Sequence, residues 1–408
     1  MRDNSVEEAI AAIQKGGFAI VIDDKDRENE GDLIMAAEMA TPETVAFMVR
    51  HTTGIICVSL KEERLKALNL PQMVENNTES HRTAFTVSVD YKVGTTTGVS
   101  ACDRAATIRA LADNTSTAED FARPGHLFPL RYAHGGVLKR AGHTEAAVDL
   151  VTMADLQPAG VISEIVKDDG SMAREGELRS FAEKHGIPVT TIADIVRYRR
   201  SREKLVRSVT TARIPTAYGD FTAHVYESIL DGIQHVALVK GELTGKERVL
   251  VRVHSECLTG DIFGSLRCDC GQQLHAALAE IGRAGEGLLV YLRGHEGRGI
   301  GLAHKMRAYN LQDQGRDTVQ ANEDLGFPAD SREYGIGAQI LADLGVTTIR
   351  LMTNNPAKYG GLSGFDLEIV ERVPLVCEPN TENADYLRTK QEKLGHLFNI
   401  KTEETLHA

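Results

Sequence analysis

Three of the six cysteines fall within fourteen residues, as Cys257, a gap of ten, then Cys268-Asp269-Cys270. Clustered thiolates are zinc ligands by type. A structural zinc closes its ligand set with protein groups, whereas three thiolates leave a position open for water, the catalytic arrangement. Around them stand Arg252-Val253-His254-Ser255-Glu256 and Gly271-Gln272-Gln273. These supply guanidinium, hydroxyl, carboxylate and amide groups suited to a polar, phosphorylated ligand. Arg293-Gly294-His295-Glu296-Gly297-Arg298-Gly299-Ile300-Gly301 reads as a turn between a strand and a helix. Its glycines let backbone approach a ligand, and a helix start favours anions. Asp330-Ser331-Arg332, taken alone, is an ordinary ion pair or helix cap. Thr353-Asn354-Asn355-Pro356-Ala357-Lys358 puts a hydroxyl and an ammonium after a strand, which suits phosphate or base recognition.

The first half carries different chemistry. Asp26-Arg27-Glu28-Asn29-Glu30-Gly31-Asp32 lies between two apolar strands. Acid-rich loops are usually solvated turns, but here an Arg is embedded among the acids and a Gly permits a sharp turn. Carboxylates so placed suit magnesium. Gly98 to Arg104 leads into a helix whose start can receive a phosphate. Arg123-Pro124-Gly125-His126 places a His in a constrained turn. Arg140-Ala141-Gly142-His143-Thr144-Glu145 gathers a cation, a flexible Gly, an imidazole and a hydroxyl, and Glu164 follows Ser163 inside an apolar stretch. Each of these alone has an ordinary structural explanation; the combination does not.

The elements that must hold these groups alternate. Ser5, with Glu8, is expected to cap an opening helix that ends at Gly16-Gly17. Phe18–Ile22 and Ile55–Leu60 read as strands, and Thr41-Pro42 starts a helix. In the second half Val249–Val253, Leu288–Leu292 and Thr348–Met352 read as strands. Leu274–Ile281, Leu302–Tyr309, a Ser331-capped segment to Leu344, and Thr381–Leu394 read as helices. Both halves are mixed α/β, so the fold class is two mixed α/β domains in tandem. The basic run Arg197–Arg207 near the midpoint reads as a solvated helix end between them, giving domains 1–200 and 201–408.

Composition limits the partners. With 46 basic and 58 acidic residues in 408, the formal charge of −12 argues against a nucleic-acid partner but leaves room for small anions met by local cations. The N-terminal acids do not suit a signal peptide and no apolar run suits a membrane span. The expected location is the cytoplasm, with no membrane partner and reduced thiols. Cys57, Cys102 and Cys377 are expected to be buried packing residues.

From about Ser208 to Gly395, including Leu387-Arg388-Thr389-Lys390, the ordered motifs closely resemble GTP cyclohydrolase II. The resemblance implies a zinc and magnesium enzyme that opens the imidazole ring of GTP. It releases formate and pyrophosphate and leaves a diaminopyrimidine ribosyl monophosphate. Cys257, Cys268 and Cys270 would hold zinc. Arg252, Val253, His254, Ser255, Glu256, Gln273, Glu296, Gly297, Arg298, Thr318, Thr353 and Lys358 would hold GTP. Tyr309 would lie near the purine, and Asp330 would accept a proton. Arg332 would be the nucleophile or, because its cation has no free lone pair, a stabiliser of transition-state charge.

From about Ser5 to Tyr198 the motifs closely resemble dihydroxybutanone phosphate synthase. This implies conversion of ribulose 5-phosphate to formate and 3,4-dihydroxy-2-butanone 4-phosphate, with magnesium or manganese. Glu28 and His143 would bind the metal. Arg27, Glu28, Asp32, Arg140, Ala141, Gly142, His143, Thr144 and Glu164 would contact the sugar phosphate, and His126 and Glu164 would be essential to catalysis. The family commonly has Cys where Ser163 stands. The resemblance also implies a homodimer through the first half. Two other readings compete: one active half with a scaffold, or a zinc-dependent nucleotide sensor with a closed metal site and a basic surface.

Overall fold

Near-continuous apolar runs such as Ala19–Ile22 and Leu33–Ala36 suit strands covered on both faces, and the computed structural model shows why. Residues 3–25, 27–327, 334–355, 367–375, 378–395 and 397 are described. Contacts divide the chain into two units, Met1–Arg202 and Glu203–Ala408.

The first unit holds β1 (Ala19–Ile22), β2 (Gly31–Ala36), β3 (Cys57–Leu60), β4 (Val89–Tyr91), β5 (Phe121–Arg131), β6 (Ala159–Glu164) and β7 (Val189–Thr191). They form one mixed sheet in the order β4-β5-β3-β6-β2-β1-β7. Ile20, Ile22, Leu33 and Met35 point into one apolar cluster, and Ala19, Val21, Ile34 and Ala36 into another. Helices lie over both faces, so alternate side chains are apolar in both directions. β2 and β6 are antiparallel, which sets Asp32 directly opposite Glu164. Two like charges facing each other across a ladder cost stability, so this pairing points to function.

The second unit holds β8 (Val206–Thr216), β9 (Gly219–Ser228), β10 (Gln234–Lys240), β11 (Val249–Ser255), β12 (Gly287–Leu292), β13 (Thr348–Met352) and β14 (Glu368–Val373). The sheet order is β14-β13-β11-β12-β10-β9-β8. The meander β8–β10 is antiparallel, and β11 to β14 run parallel to their neighbours within that half. On β11, Val249, Val251 and Val253 fill one cluster while Leu250 enters the cluster on the other face. Arg252 and His254 continue the Leu250 face beyond that apolar patch. The period of two thereby delivers them to the carboxyl end of a parallel sheet, where α/β proteins bind ligands.

Several expectations need correction. Ser5 lies inside the first helix, Asp3–Gln14, with its Oγ 3.2 Å from Thr190 Oγ1, so it does not cap. The helix expected at Leu274–Ile281 runs from Cys270 to Ala284. Apolar periodicity missed its first turn because polar site residues fill it. The Ser331 cap lies outside the described residues, and the helix after it runs from Gly335 to Asp343. His126 is on β5, not in a turn. At the start of the helix Ala101–Ala112, Asp103 accepts the Thr96 and Gly98 amides, so the chain's own carboxylate occupies the expected anion position. The basic run is ion-paired, not merely solvated: Arg197 pairs with Asp194, Arg199 with buried Asp149, Arg202 with Glu7 and Arg207 with Glu227. Cys57 is buried as expected, Cys102 is exposed, and Cys377 is outside the described residues.

Candidate active sites

In the first unit, ligand atoms of Asp23, Glu28 and His143 lie within 4.8 Å of one another. His143 opens the helix His143–Met153, and its Nε2 is 3.1 Å from the Val21 carbonyl. That carbonyl can only accept, so Nε2 carries the proton. Nδ1 faces Glu28 at 3.5 Å and Asp32 at 3.6 Å, and with Nε2 fixed on a carbonyl it is the nitrogen that a metal would take. Arg27 bridges Asp23 at 3.0 Å and Glu28 at 2.6 Å. Burial pushes the Asp32 carboxyl up to about 7, with the Glu164 and Glu28 carboxylates adding to the rise against His143. Burial opposes charge on His143, yet Asp32 and Glu28 outweigh it and raise the imidazole to about 9. Burial would likewise raise Glu28, but the His143 hydrogen bond and Arg27 hold it at about 2. An excess of carboxylate around one aimed imidazole nitrogen fits a divalent cation, which would displace the imidazole proton.

Glu164 Oε2 accepts a 2.7 Å hydrogen bond from Thr53 Oγ1. Neighbouring Ser163 Oγ is 2.7 Å from Thr52 Oγ1, 3.0 Å from the Ile55 carbonyl and 3.5 Å from the same Thr53 hydroxyl. Arg140 is pinned by Glu145 at 2.7 Å and by the His81 carbonyl and Thr83 Oγ1, both at 3.1 Å. A Cβ at Gly142 would come within 2.5 Å of Arg140 Nη1, so the glycine makes room for the guanidinium. No side chain caps the helix that follows, and Ala141 to Thr144 bring a cation and a helix start together. Among the described residues His126 makes no hydrogen bond or ion pair with Glu28, His143 or Glu164. Its hydrogen bonds go to Asp90.

In the second unit the three thiols lie within 4.8 Å of one another. A Cβ on Gly260 would sit 2.9 Å from Cys268 Sγ and 3.2 Å from Cys257 Sγ, and one on Gly271 would sit 2.3 Å from the Gly260 carbonyl. The two glycines keep the sulfur cradle open, and a zinc ion fits this donor set. Hydrogen bonding among the thiols pulls the Cys257 pKa down, and the Lys305 ammonium, 3.1 Å from its Sγ, adds to this. Lys305 is also 2.6 Å from Glu296 Oε1, whose other oxygen accepts the Leu258 amide at 2.7 Å. Asp261 accepts from the Cys257 amide at 3.0 Å and Tyr291 at 2.8 Å, and holds His254 Nε2 at 3.1 Å.

The thiols and Arg252, His254, Ser255, Glu256 and Gln273 line one cleft, with Gly297, Arg298, Tyr309, Thr318 and Thr353. Val253 is packed in the sheet core, so only its backbone is available to a ligand. Asp330, Arg332 and Lys358 lie outside the described residues. A buried relay stiffens the cleft. Lys390 donates to Asp269 at 2.7 Å, Gln273 donates to Asp269 at 2.5 Å, and Arg252 donates to Gln273 at 2.5 Å and to the Met352 carbonyl at 2.9 Å. The Asp between the paired cysteines is therefore an anchor. Sequence reading gave no role to Asp23, Asp261, Asp269, Lys305 or Lys390: the partners Cys257 of Lys305 and Asp269 of Lys390 are remote in the chain, and nearby acids such as Asp23 and Asp261 carry no signal that tells a site support from a solvated charge.

Known proteins fit both sites. A family model for 3,4-dihydroxy-2-butanone 4-phosphate synthase matches residues 7–198, and one for GTP cyclohydrolase II matches residues 206–374. The bifunctional riboflavin biosynthesis protein RIBA 1, chloroplastic, of Arabidopsis thaliana is 63% identical over 400 residues, covering 98% of this chain and 74% of that protein. The chain belongs to the bifunctional riboflavin biosynthesis family. The riboflavin biosynthesis protein RibBA of Nocardia farcinica is 60% identical over 397 residues, 97% of this chain and 96% of that one. As a member of this family the chain is an enzyme with synthase and cyclohydrolase activities. The crystal structure of RibBX, a two-domain 3,4-dihydroxy-2-butanone 4-phosphate synthase from A. baumannii, covers 93% of this chain and 100% of that one at 38% identity, with a TM-score of 0.69. It shares the mixed α/β fold of the bifunctional family. Among the described residues no helix is long and apolar enough to cross a membrane.

Proposed function

We propose that the unit before about residue 200 converts ribulose 5-phosphate to 3,4-dihydroxy-2-butanone 4-phosphate and formate, and that the unit after it hydrolyses GTP. The products of the second reaction are formate, pyrophosphate and a diaminopyrimidine ribosyl monophosphate. The observation that carries this reading is the pairing, in each unit, of a metal-ligating triad with fixed cations.

In the synthase unit, Glu28 and His143 Nδ1 would hold magnesium or manganese, with Asp23 beside them; the metal supplies Lewis acidity toward vicinal sugar oxygens. Arg140 and the helix start at His143 hold the phosphate. Asp32, raised to about 7, faces Glu164 across the ladder, so a carboxyl able to hold or release a proton near neutral pH stands beside the proposed catalytic Glu. His126 makes no hydrogen bond or ion pair with Glu28, His143 or Glu164 among the described residues, which favours a homodimer whose second copy brings it to the site. Ser163 Oγ is held by Thr52 and the Ile55 carbonyl and meets Glu164 through a long, 3.5 Å contact with Thr53. Ser163→Cys should therefore leave the rate with ribulose 5-phosphate within about threefold of the parent, as read by formate release.

In the cyclohydrolase unit, Cys257, Cys268 and Cys270 would hold zinc, which supplies Lewis acidity for ring opening. Arg252, rigidly held by Gln273 and the Met352 carbonyl, and Arg298 neutralise the triphosphate. Magnesium with GTP offsets the charge of the leaving pyrophosphate. The proposed roles of Asp330, Arg332 and Lys358 rest on their motif positions. The proposed location is the cytoplasm. Formate measured separately from GTP with zinc and magnesium, and from ribulose 5-phosphate with magnesium, tests the assignment. Formate from both is expected; its absence in one tube would leave that unit a scaffold.

A further inference from the structure

The helix Leu302–Asp313 turns a polar face inward. Lys305, Ala308, Tyr309 and Gln312, spaced three and four residues apart, all line the cleft of the second unit. In a cleft that receives a triphosphate, a lysine in the wall reads at first as a phosphate ligand. The contacts of Lys305 say otherwise. The residue is 7% exposed, and an ammonium has three N–H donors and no acceptor. One donates to Cys257 Sγ at 3.1 Å, one to Thr259 Oγ1 at 2.8 Å and one to Glu296 Oε1 at 2.6 Å. The protein occupies all three, so none is left for a phosphate oxygen.

The three acceptors belong to different parts of the site. Cys257 is one of the clustered thiols. Glu296 stands in the Gly-rich turn, and its other oxygen accepts the Leu258 amide at 2.7 Å. Thr259 Oγ1 lies 3.2 Å from the Tyr309 hydroxyl. Lysine and carboxylate therefore grip the segment 257–259 at every residue. Gly297, at φ +60°, makes room for the lysine stem: a Cβ there would come 3.1 Å from Lys305 Cβ. Charge favours the same arrangement. Three thiolates carry more negative charge than one divalent ion offsets, and Glu296 adds to it, so a buried ammonium between them is well paired. We propose that Lys305 is a positioning residue for the cyclohydrolase: one ammonium holds the Cys257 thiolate toward the metal and Glu296 toward GTP, and it does not itself bind the nucleotide. The inference rests on the reading of the three thiols as zinc ligands.

The test uses the full chain as parent, Lys305→Met and Lys305→Arg. Methionine keeps much of the stem and removes the charge; arginine keeps the charge. Zinc affinity is read by competition with a chelator, KM for GTP by formate release, and folding by thermal melts. Lys305→Met should bind zinc roughly 10- to 100-fold more weakly, the usual effect of losing a partner behind a metal ligand. With cobalt in place of zinc, its sulfur-to-cobalt absorption should shift from that of the parent. Lys305→Arg should recover most of the affinity. Zinc affinity of Lys305→Met within about threefold of the parent would overturn the proposal. A raised KM would then mark a direct nucleotide contact, and a lowered melting temperature alone a packing role. A parent chain that takes up no zinc would instead overturn the reading of the thiols. A crystal structure of the zinc-loaded parent with a non-hydrolysable GTP analogue needs no variant. Lys305 Nζ is expected on Cys257 Sγ and Glu296; Nζ on a phosphate oxygen sinks the proposal whatever the affinities show.

Discussion

Cys268→Ser should abolish formate release from GTP, lowering it by at least about a hundredfold, and leave formate release from ribulose 5-phosphate within about twofold. Cys268 is buried, 3.8 Å from Cys257 Sγ, and shares the same sulfur cradle with Cys270. A serine hydroxyl is a harder ligand that stays protonated at neutral pH, so it neither replaces the thiolate's charge nor its softness. Two sulfur ligands then remain, with Lys305 3.1 Å from Cys257 Sγ. Zinc content, measured on the same sample, should fall with the rate. The synthase groups belong to the other unit and share no ligand with the cradle. Loss of both activities would mean the units do not work independently, and retention of both would remove zinc from the account.

Asp32→Asn should do two opposite things: cut the synthase rate by roughly 10²- to 10⁴-fold and raise the melting temperature of the metal-free protein by a few degrees, about 1–2 kcal/mol. The acid is fully buried and its folded pKa, about 7, lies above the ordinary carboxylate value. An acid with a raised folded pKa favours the folded state at low pH, where it is protonated in both states. That advantage is lost as pH rises from about 4 to about 7, because the unfolded chain ionises first. Asn mimics the protonated acid, so the gain should grow across that window and level off above it. Thermal melts in a chelator from pH 4 to pH 8 check the sign. Magnesium should shrink the difference, since a cation relieves the same repulsion in the parent. A variant that melts lower than the parent at pH 7 would show that the His143 ion pair, not the carboxylate crowding, dominates this site.

Legibility from sequence followed one division. Elements whose apolar residues repeat locally were readable: β11, β12 and β13 stand where the runs Val249–Val253, Leu288–Leu292 and Thr348–Met352 placed them, and the mixed α/β class followed. Elements whose composition is set by function were not. The helix from Cys270 was started a turn late because Cys270 to Gln273 serve the cleft. The bulge that carries His126 interrupts a ladder that only tertiary pairing reveals. Motif residues were legible because several chemical types recur within a few positions, as in Arg140 to Thr144. Their supports were not. Asp23, Asp261 and Lys305 are ordinary charged residues until the fold brings Glu28, His254 and Cys257 beside them. Asp32 against Glu164 is a pairing of strands with most of the domain between them.

The tie between Lys390 and Asp269 spans 121 positions of chain. Synthesis runs from the N-terminus, so the synthase unit and the thiols themselves emerge long before the helix Ala384–Leu394 that secures the Asp between two of them. During that interval the cysteines form an unanchored ligand set, open to the wrong metal or to oxidation. The helix Ala384–Leu394 thus completes the thiol loop: the Asp between two of the cysteines gains its ammonium partner only after this helix has been made, while the synthase groups draw on no residue of it.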